Sequence, residues 1–153
     1  MIFETNSAEE TFDMGFQLGK KVSAGDIICI EGDLGVGKTV FAQGFAKGLG
    51  ITQTIDSPTY TIMKIYDGGR APLYHFDVYR LGSVEEMDDI GYEEYFFGEG
   101  VCLIEWAGKI NRLLPDSSVR IRISRSLVKD YDYRKIEVTG NIRYFEEEDS
   151  EKK

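Results

Sequence analysis

The segment Gly32-Asp33-Leu34-Gly35-Val36-Gly37-Lys38-Thr39 matches the phosphate-loop pattern G-x-x-x-x-G-K-[ST] at every position. It constrains the fold more than any other feature, because such a loop works only between a strand and a helix. Its flanks provide both. Ile27-Ile28-Cys29-Ile30 is a continuous apolar run rich in β-branched residues, the pattern of a strand buried on both faces. Beyond the loop, Phe41, Phe45 and Leu49 recur at helical spacing beside Ala42 and Ala46, with Gly48 and Gly50 as stop signals. The glycines let the backbone curl until several N–H groups face an anion, and a helix beginning near Lys38 adds the positive end of its dipole. Lys38 is expected to reach the β- and γ-phosphates, and the Thr39 hydroxyl to ligate Mg²⁺. The motif implies a nucleoside triphosphate without specifying its base.

A chain of 153 residues suits one domain that buries roughly 70% of its unfolded surface. We expect that domain over 1–145, with no internal repeat or linker. Glu146-Glu147-Glu148-Asp149-Ser150-Glu151-Lys152-Lys153 has no apolar periodicity and reads as a disordered, solvated acidic tail over 146–153. The formal net charge of −9 repels a phosphate backbone, so unaided binding to DNA or RNA is disfavoured. No apolar run is long enough to span a bilayer, and Met1-Ile2-Phe3-Glu4-Thr5 lacks the basic region and apolar core of a signal peptide. Cytoplasmic residence is expected. Cys29 and Cys102 each lie in an apolar run and read as buried thiols, not a disulfide or a metal pair.

Along the chain, Ser7-Ala8-Glu9-Glu10 is a capping box opening a helix whose apolar face is Phe12, Phe16, Leu18 and Val22. Ser57-Pro58-Thr59 interrupts the periodic pattern, Tyr60 to Tyr66 reads as a strand, 67–70 as a turn, and Leu73 to Tyr79 as the returning strand. Ser83-Val84-Glu85-Glu86 opens a further helix, with Gly91 a point of breakage before Phe97. Val101 to Ile104, Val119 to Ser124 and Tyr133 to Thr139 complete the strands. The alternation predicts a layered α/β phosphate-loop fold. Its sheet is mainly parallel with an antiparallel hairpin portion, and helices cover both faces.

A phosphate loop needs acidic partners for its metal. Glu105 ends the apolar run 101–104, so it should emerge at the carboxyl end of a buried strand, the edge where such sheets bind ligands. There it can ligate Mg²⁺ beside Thr39 or accept from a metal-bound water; the plainer alternative is a carboxylate capping a strand end. Asp77 in His75-Phe76-Asp77-Val78-Tyr79-Arg80 can orient the attacking water, bind metal through water, or simply pair with Arg80. His75 reads more readily as a packing residue than as a catalyst. Trp106 is ordinarily core or interface, but beside a phosphate site it can relay nucleotide state. Thr59 sits where phosphate-loop proteins often carry a mobile segment that triphosphate orders.

Together with the loop, Ser-Pro-Thr-Tyr-Thr (57–61), His-Phe-Asp-Val-Tyr-Arg-Leu (75–81), Gly91-Tyr92 with Tyr95-Phe96, Leu-Ile-Glu-Trp (103–106) and Leu114-Pro115 occur in a telling order. The chain closely resembles the bacterial TsaE family, from Ser7 to about Val138. The resemblance implies ATP binding with Mg²⁺ and slow hydrolysis in isolation. It also implies association with the TsaD and TsaB proteins, which install threonylcarbamoyl on the adenosine adjoining the anticodon of certain tRNAs. On that likeness Asp33, Leu34, Gly35, Val36, Gly37, Lys38 and Thr39 hold the phosphates, and Thr39 with Glu105 matches the metal positions. Asp77, with Lys38 and Glu105, matches the residues implicated in hydrolysis, and Thr59 and Trp106 match switch-like positions. Arg134 lines up near the nucleotide and Thr11 near its base. The role implied is to reset the TsaD–TsaB complex between turnovers, with tRNA met only through that complex.

Two other readings share the loop. One is a nucleotide-gated binding module with incidental hydrolysis, and the other a small-molecule kinase, whose usual arginine-rich lid is not evident. A regulatory GTPase is disfavoured, since no Asn-Lys-x-Asp occurs in the chain.

Overall fold

A computed structural model describes residues 1–33, 35–58 and 61–146. Leu34, Thr59, Tyr60 and residues 147–153 lie outside it, and with them two of the expected site residues and nearly all of the expected acidic tail. In chain order the elements are β1 (Ile2–Thr5), α1 (Ala8–Lys21), β2 (Ile27–Glu31), α2 (Lys38–Leu49), β3 (Met63–Tyr66) and β4 (Leu73–Asp77). There follow α3 (Glu86–Asp89), α4 (Tyr92–Phe96), β5 (Val101–Glu105), a 3₁₀ segment (Ala107–Leu113), β6 (Val119–Ser124) and β7 (Arg134–Gly140). The strands form one sheet in the order β1-β7-β6-β2-β5-β4-β3. Its four middle strands, β6-β2-β5-β4, are parallel, and both margins are antiparallel.

The apolar run of β2 is buried on both sides, and its alternation divides the core. Ile28 and Ile30 join Leu103, Ile121, Phe41 and Phe45 in the layer under α1 and α2. Ile27 and Cys29 join Cys102, Ile104, Phe76, Met87 and Phe96 in the layer under the short helices. Helices therefore cover both faces, as the α/β pattern predicts. Cys29 and Cys102 are free, buried thiols. Among the described residues no helix is long and apolar enough to cross a membrane.

Of the expected apolar face of α1, Phe12, Phe16, Leu18 and Val22, the last two are buried and the two phenylalanines are not. Phe12 and Phe16 are only half-buried, while Thr11, Gly15, Leu18 and Gly19 are buried. The reason is backbone contact with α2. A Cβ on Gly15 or Gly19 would come within 2.2 or 2.1 Å of the carbonyl oxygens of Phe41 and Phe45. In return, a Cβ on Gly44 or Gly48 would come within 2.0 or 2.1 Å of those of Phe12 and Phe16. Gly48 is thus a packing residue within α2, and the helix stops at Gly50, in the left-handed region at φ 99°. Arg70, in the β3–β4 turn, donates to the carbonyls of Gly19, Val22 and Gly48 and so ties the hairpin to the ends of both helices.

Other boundaries shift for local reasons. β3 begins at Met63, later than expected. β4 stops at Asp77 because its Oδ1 accepts from the Tyr79 N–H at 3.0 Å, an Asx-turn that leads the chain off the sheet. Gly91 at φ 68° separates α3 from α4. At the Ser83 capping box only Glu86 acts, accepting from the N–H groups of Gly82 and Ser83. β1 was not expected as a strand. It pairs with β7, and the terminal ammonium of Met1 donates to the Val138 carbonyl at 2.9 Å.

Candidate functional site

The glycine loop leaves the carboxyl end of β2 and enters α2. Gly32, Gly35 and Gly37 all have positive φ (148°, 77° and 104°), a conformation side chains resist. Gly32 is also pressed against β6, where a Cβ would lie 2.5 Å from the Ile123 carbonyl oxygen. Gly37 is the N-cap of α2 and supplies no side-chain acceptor, and the first turn carries no acid. The leading N–H groups of this twelve-residue helix therefore lack the usual carboxylate or hydroxyl cap, the arrangement in which an anion is favoured.

Three cations donate to carbonyls of the loop. Lys38 Nζ donates to Gly32 at 2.5 Å, Arg125 Nη2 to Gly35 at 2.6 Å, and Arg134 Nε to Val36 at 2.7 Å. Arg134 is itself held by the carbonyls of Tyr131 and Tyr133. Arg125 was not singled out in the sequence, and no local pattern marks it. It reaches the loop only because β6 lies next to β2.

Parallel pairing sets Asp77 of β4 directly opposite Glu105 of β5, at the same edge as the loop. Glu105 is 3% exposed and its Oε2 lies 2.7 Å from His75 Nε2 and 3.3 Å from the Ser57 hydroxyl that donates to it. His75, read as a packing residue, thus touches the acid. Burial pushes the Asp77 carboxyl above the ordinary aspartate range; the Tyr79 N–H opposes this, Glu105 adds to it, and His75 and Lys38 oppose it. Burial likewise lowers the Lys38 ammonium, against the pull of Glu105, Asp77, Glu31 and Asp33. That ammonium lies 3.8 Å from the centre of the Trp106 ring, a cation–π contact. Trp106 has φ 63°, the one non-glycine residue with positive φ among those described. Such a conformation costs about 1–3 kcal/mol. Its N–H bonds to the Ile30 carbonyl and its ring packs against Tyr79.

A cavity of about 450 Å³ is lined by Gly35, Gly37, Lys38, Thr39, Val40, Ser57, Asp77, Glu105, Trp106 and Arg134. Residues far apart in the chain meet here. Asp33 is exposed and does not line it, and Thr11 lies behind the loop, its hydroxyl 2.7 Å from that of Thr5 and its methyl toward Gly37. A larger cavity of about 590 Å³ beside α1 is rimmed by Glu4, Glu9, Glu10 and Asp13, which repel phosphate.

The donor set fits Mg²⁺ in its usual phosphate-loop role. The exposed Thr39 hydroxyl and two carboxylates are hard oxygen ligands on one cavity. Among the described residues no three His, Cys, Asp or Glu side chains gather into a cage.

Strand, glycine loop and helix at the carboxyl edge of a parallel sheet define an α/β protein of the phosphate-loop class. The family model for "Threonylcarbamoyl adenosine biosynthesis protein TsaE" matches residues 5–136. The chain is 48% identical to the tRNA threonylcarbamoyladenosine biosynthesis protein TsaE of Bacillus subtilis over 124 residues, 81% of this chain and 77% of that one. It is 43% identical to the TsaE protein of Treponema pallidum over 119 residues, 78% and 87% of the two chains. The crystal structure of Bacillus subtilis YdiB superposes with a TM-score of 0.78 at 41% identity, covering 95% of this chain and 88% of that one. This chain belongs to the TsaE family of threonylcarbamoyladenosine biosynthesis proteins.

Proposed function

We propose that this protein is a cytoplasmic, Mg²⁺-dependent ATPase whose nucleotide state acts on a TsaD–TsaB complex during threonylcarbamoyladenosine formation in tRNA. The observation that most supports this is the convergence of Lys38, Thr39, Asp77 and Glu105 on one cavity at the end of α2. ATP seats its phosphates against the loop amides and the first turn of α2. Lys38 exchanges the Gly32 carbonyl and the Trp106 ring for β- and γ-phosphate oxygens. Thr39 and Glu105 would hold Mg²⁺, directly or through water, and the bound ion would offset the negative charge of the phosphates.

Asp77, with its carboxyl raised by burial, is a stronger base when ionised than an exposed aspartate. It orients a water on the γ-phosphate and accepts its proton as the new P–O bond forms and the bond to the β-phosphate oxygen breaks. The two arginines beside the loop are engaged by carbonyls, which agrees with slow turnover alone. A cation supplied in trans adds about 10³–10⁵ in rate in related systems. The net charge of −9 favours docking on proteins over tRNA.

Calorimetry with ATP tests the loop: Lys38→Ala is expected to abolish measurable binding, and unchanged affinity would remove the assignment. The ATPase rate with and without TsaD, TsaB and tRNA tests the role. No stimulation by the complete set would remove the partner assignment.

A further inference from the structure

In the parallel pair β4–β5, His75 stands opposite Leu103 and Asp77 opposite Glu105. A Glu105 side chain held by its direct neighbour would stay beside Asp77. It reaches diagonally across the pair instead, with Oε2 2.7 Å from His75 Nε2. The Ser57 hydroxyl donates to the same oxygen, so both bonds fall on Oε2 and neither engages Oε1. His75 is 1% exposed and its Nδ1 is buried with no hydrogen-bond partner among the described residues. A carboxylate only accepts, so in this contact a hydrogen on Nε2 is the one that can be shared with Oε2. An apolar side chain would fill this position without stranding a nitrogen, so packing alone does not account for the imidazole.

We propose that His75 is a positioning residue: its Nε2–H pins Oε2 of Glu105, so that the carboxylate offers Oε1 to Mg²⁺. This rests on the reading of Glu105 as a metal residue. His75 touches neither nucleotide nor metal, and it acts only through Glu105. Removing a partner that orients a metal ligand typically weakens metal affinity by roughly 10–100-fold.

The test compares His75→Leu, which removes the donor, with His75→Gln, whose amide can replace Nε2–H, and His75→Asn, whose shorter amide cannot. ATP affinity is measured in EDTA, and the Mg²⁺ concentration for half-maximal tightening is then titrated. His75→Leu and His75→Asn are expected to keep the EDTA affinity while needing about 10–100-fold more Mg²⁺; His75→Gln should restore most of the loss. An unchanged Mg²⁺ requirement in folded His75→Leu, or in His75→Asn if the leucine variant does not fold, overturns the proposal. So does a His75→Gln protein as impaired as the others. If the wild type binds ATP without any Mg²⁺ response, the metal reading of Glu105 fails, and the proposal with it. His75 is the only histidine, so the imidazole ¹⁵N spectrum of the wild type is unambiguous. A proton on Nε2 is expected, and a neutral ring protonated on Nδ1 would overturn the proposal.

Discussion

The contact between α1 and α2 yields a prediction whose sign separates two physical effects. In Gly44→Ala the new Cβ would lie 2.0 Å from the Phe12 carbonyl oxygen and 2.9 Å from its carbon. Ordinary contact begins near 3.4 Å, so the helices must part by about 1.4 Å. The obstacle is backbone, which no rotamer change can move aside, and parting also loosens the approaches at Gly15, Gly19 and Gly48. Overpacking of this kind costs about 1–3 kcal/mol and here belongs at or above the top of that range. Helix propensity acts the other way, since alanine is favoured over glycine by about 0.8–1.0 kcal/mol. The expected net loss is about 2 kcal/mol, a Tm lower by about 4–8 °C for a chain of this length. Thermal and urea unfolding of Gly44→Ala, with Lys47→Ala on the exposed face of α2 as control, measures it. The control should stay within about 0.5 kcal/mol of wild type. A Gly44→Ala protein as stable as wild type, or more so, would refute the backbone-contact reasoning. Because α2 begins at Lys38, the same variant should also weaken ATP binding.

Asp77→Asn is expected to abolish turnover while stabilising the fold at neutral pH. A carboxyl whose folded pKa is raised favours folding while protonated; that contribution is full below the ordinary aspartate range and is lost as pH rises through the higher folded value. Asparagine keeps an acceptor for the Tyr79 N–H and removes this loss, so Tm against pH should show its advantage growing across that window, and an asparagine variant less stable than wild type at pH 8 would contradict it. Trp106 is the only tryptophan, and nucleotide binding should withdraw the Lys38 ammonium from its ring, changing the fluorescence. The same titration of Lys38→Ala should be silent. Burial pushes both Cys29 and Cys102 up to about 12, so neither should react with a thiol reagent at pH 8 until urea unfolds the chain, when both should.

Much of the fold is legible because its signals are local. The apolar run 27–30, the glycine loop and the alternation at 119–124 each report a backbone conformation within a few residues, and each became the element its pattern implies. β1 was hidden because its four residues are too few for a periodic signal, and its pairing partner lies at the other end of the chain. Of the two glycines expected to stop α2, Gly50 does so and Gly48 does not, for a different reason. Taken alone, glycine in a helix looks like a stop signal, and its use as a point of close approach exists only once a second helix is beside it.

The site divides along the same line. Sequence alone determined the loop, its lysine and threonine, and the exit of Glu105 from a buried strand, because a phosphate cradle is written in consecutive residues. Sequence left Asp77 suspended between catalysis and pairing, and favoured His75 as packing. Their placement depends on strand order and register: β4 had to lie parallel to β5 for Asp77 to face Glu105 and for His75 to reach it diagonally. β6 had to lie beside β2, and β7 beside β6, for Arg125 and Arg134 to reach the loop carbonyls. Those contacts join residues tens of positions apart through side chains with no shared local pattern, so only tertiary structure could decide them.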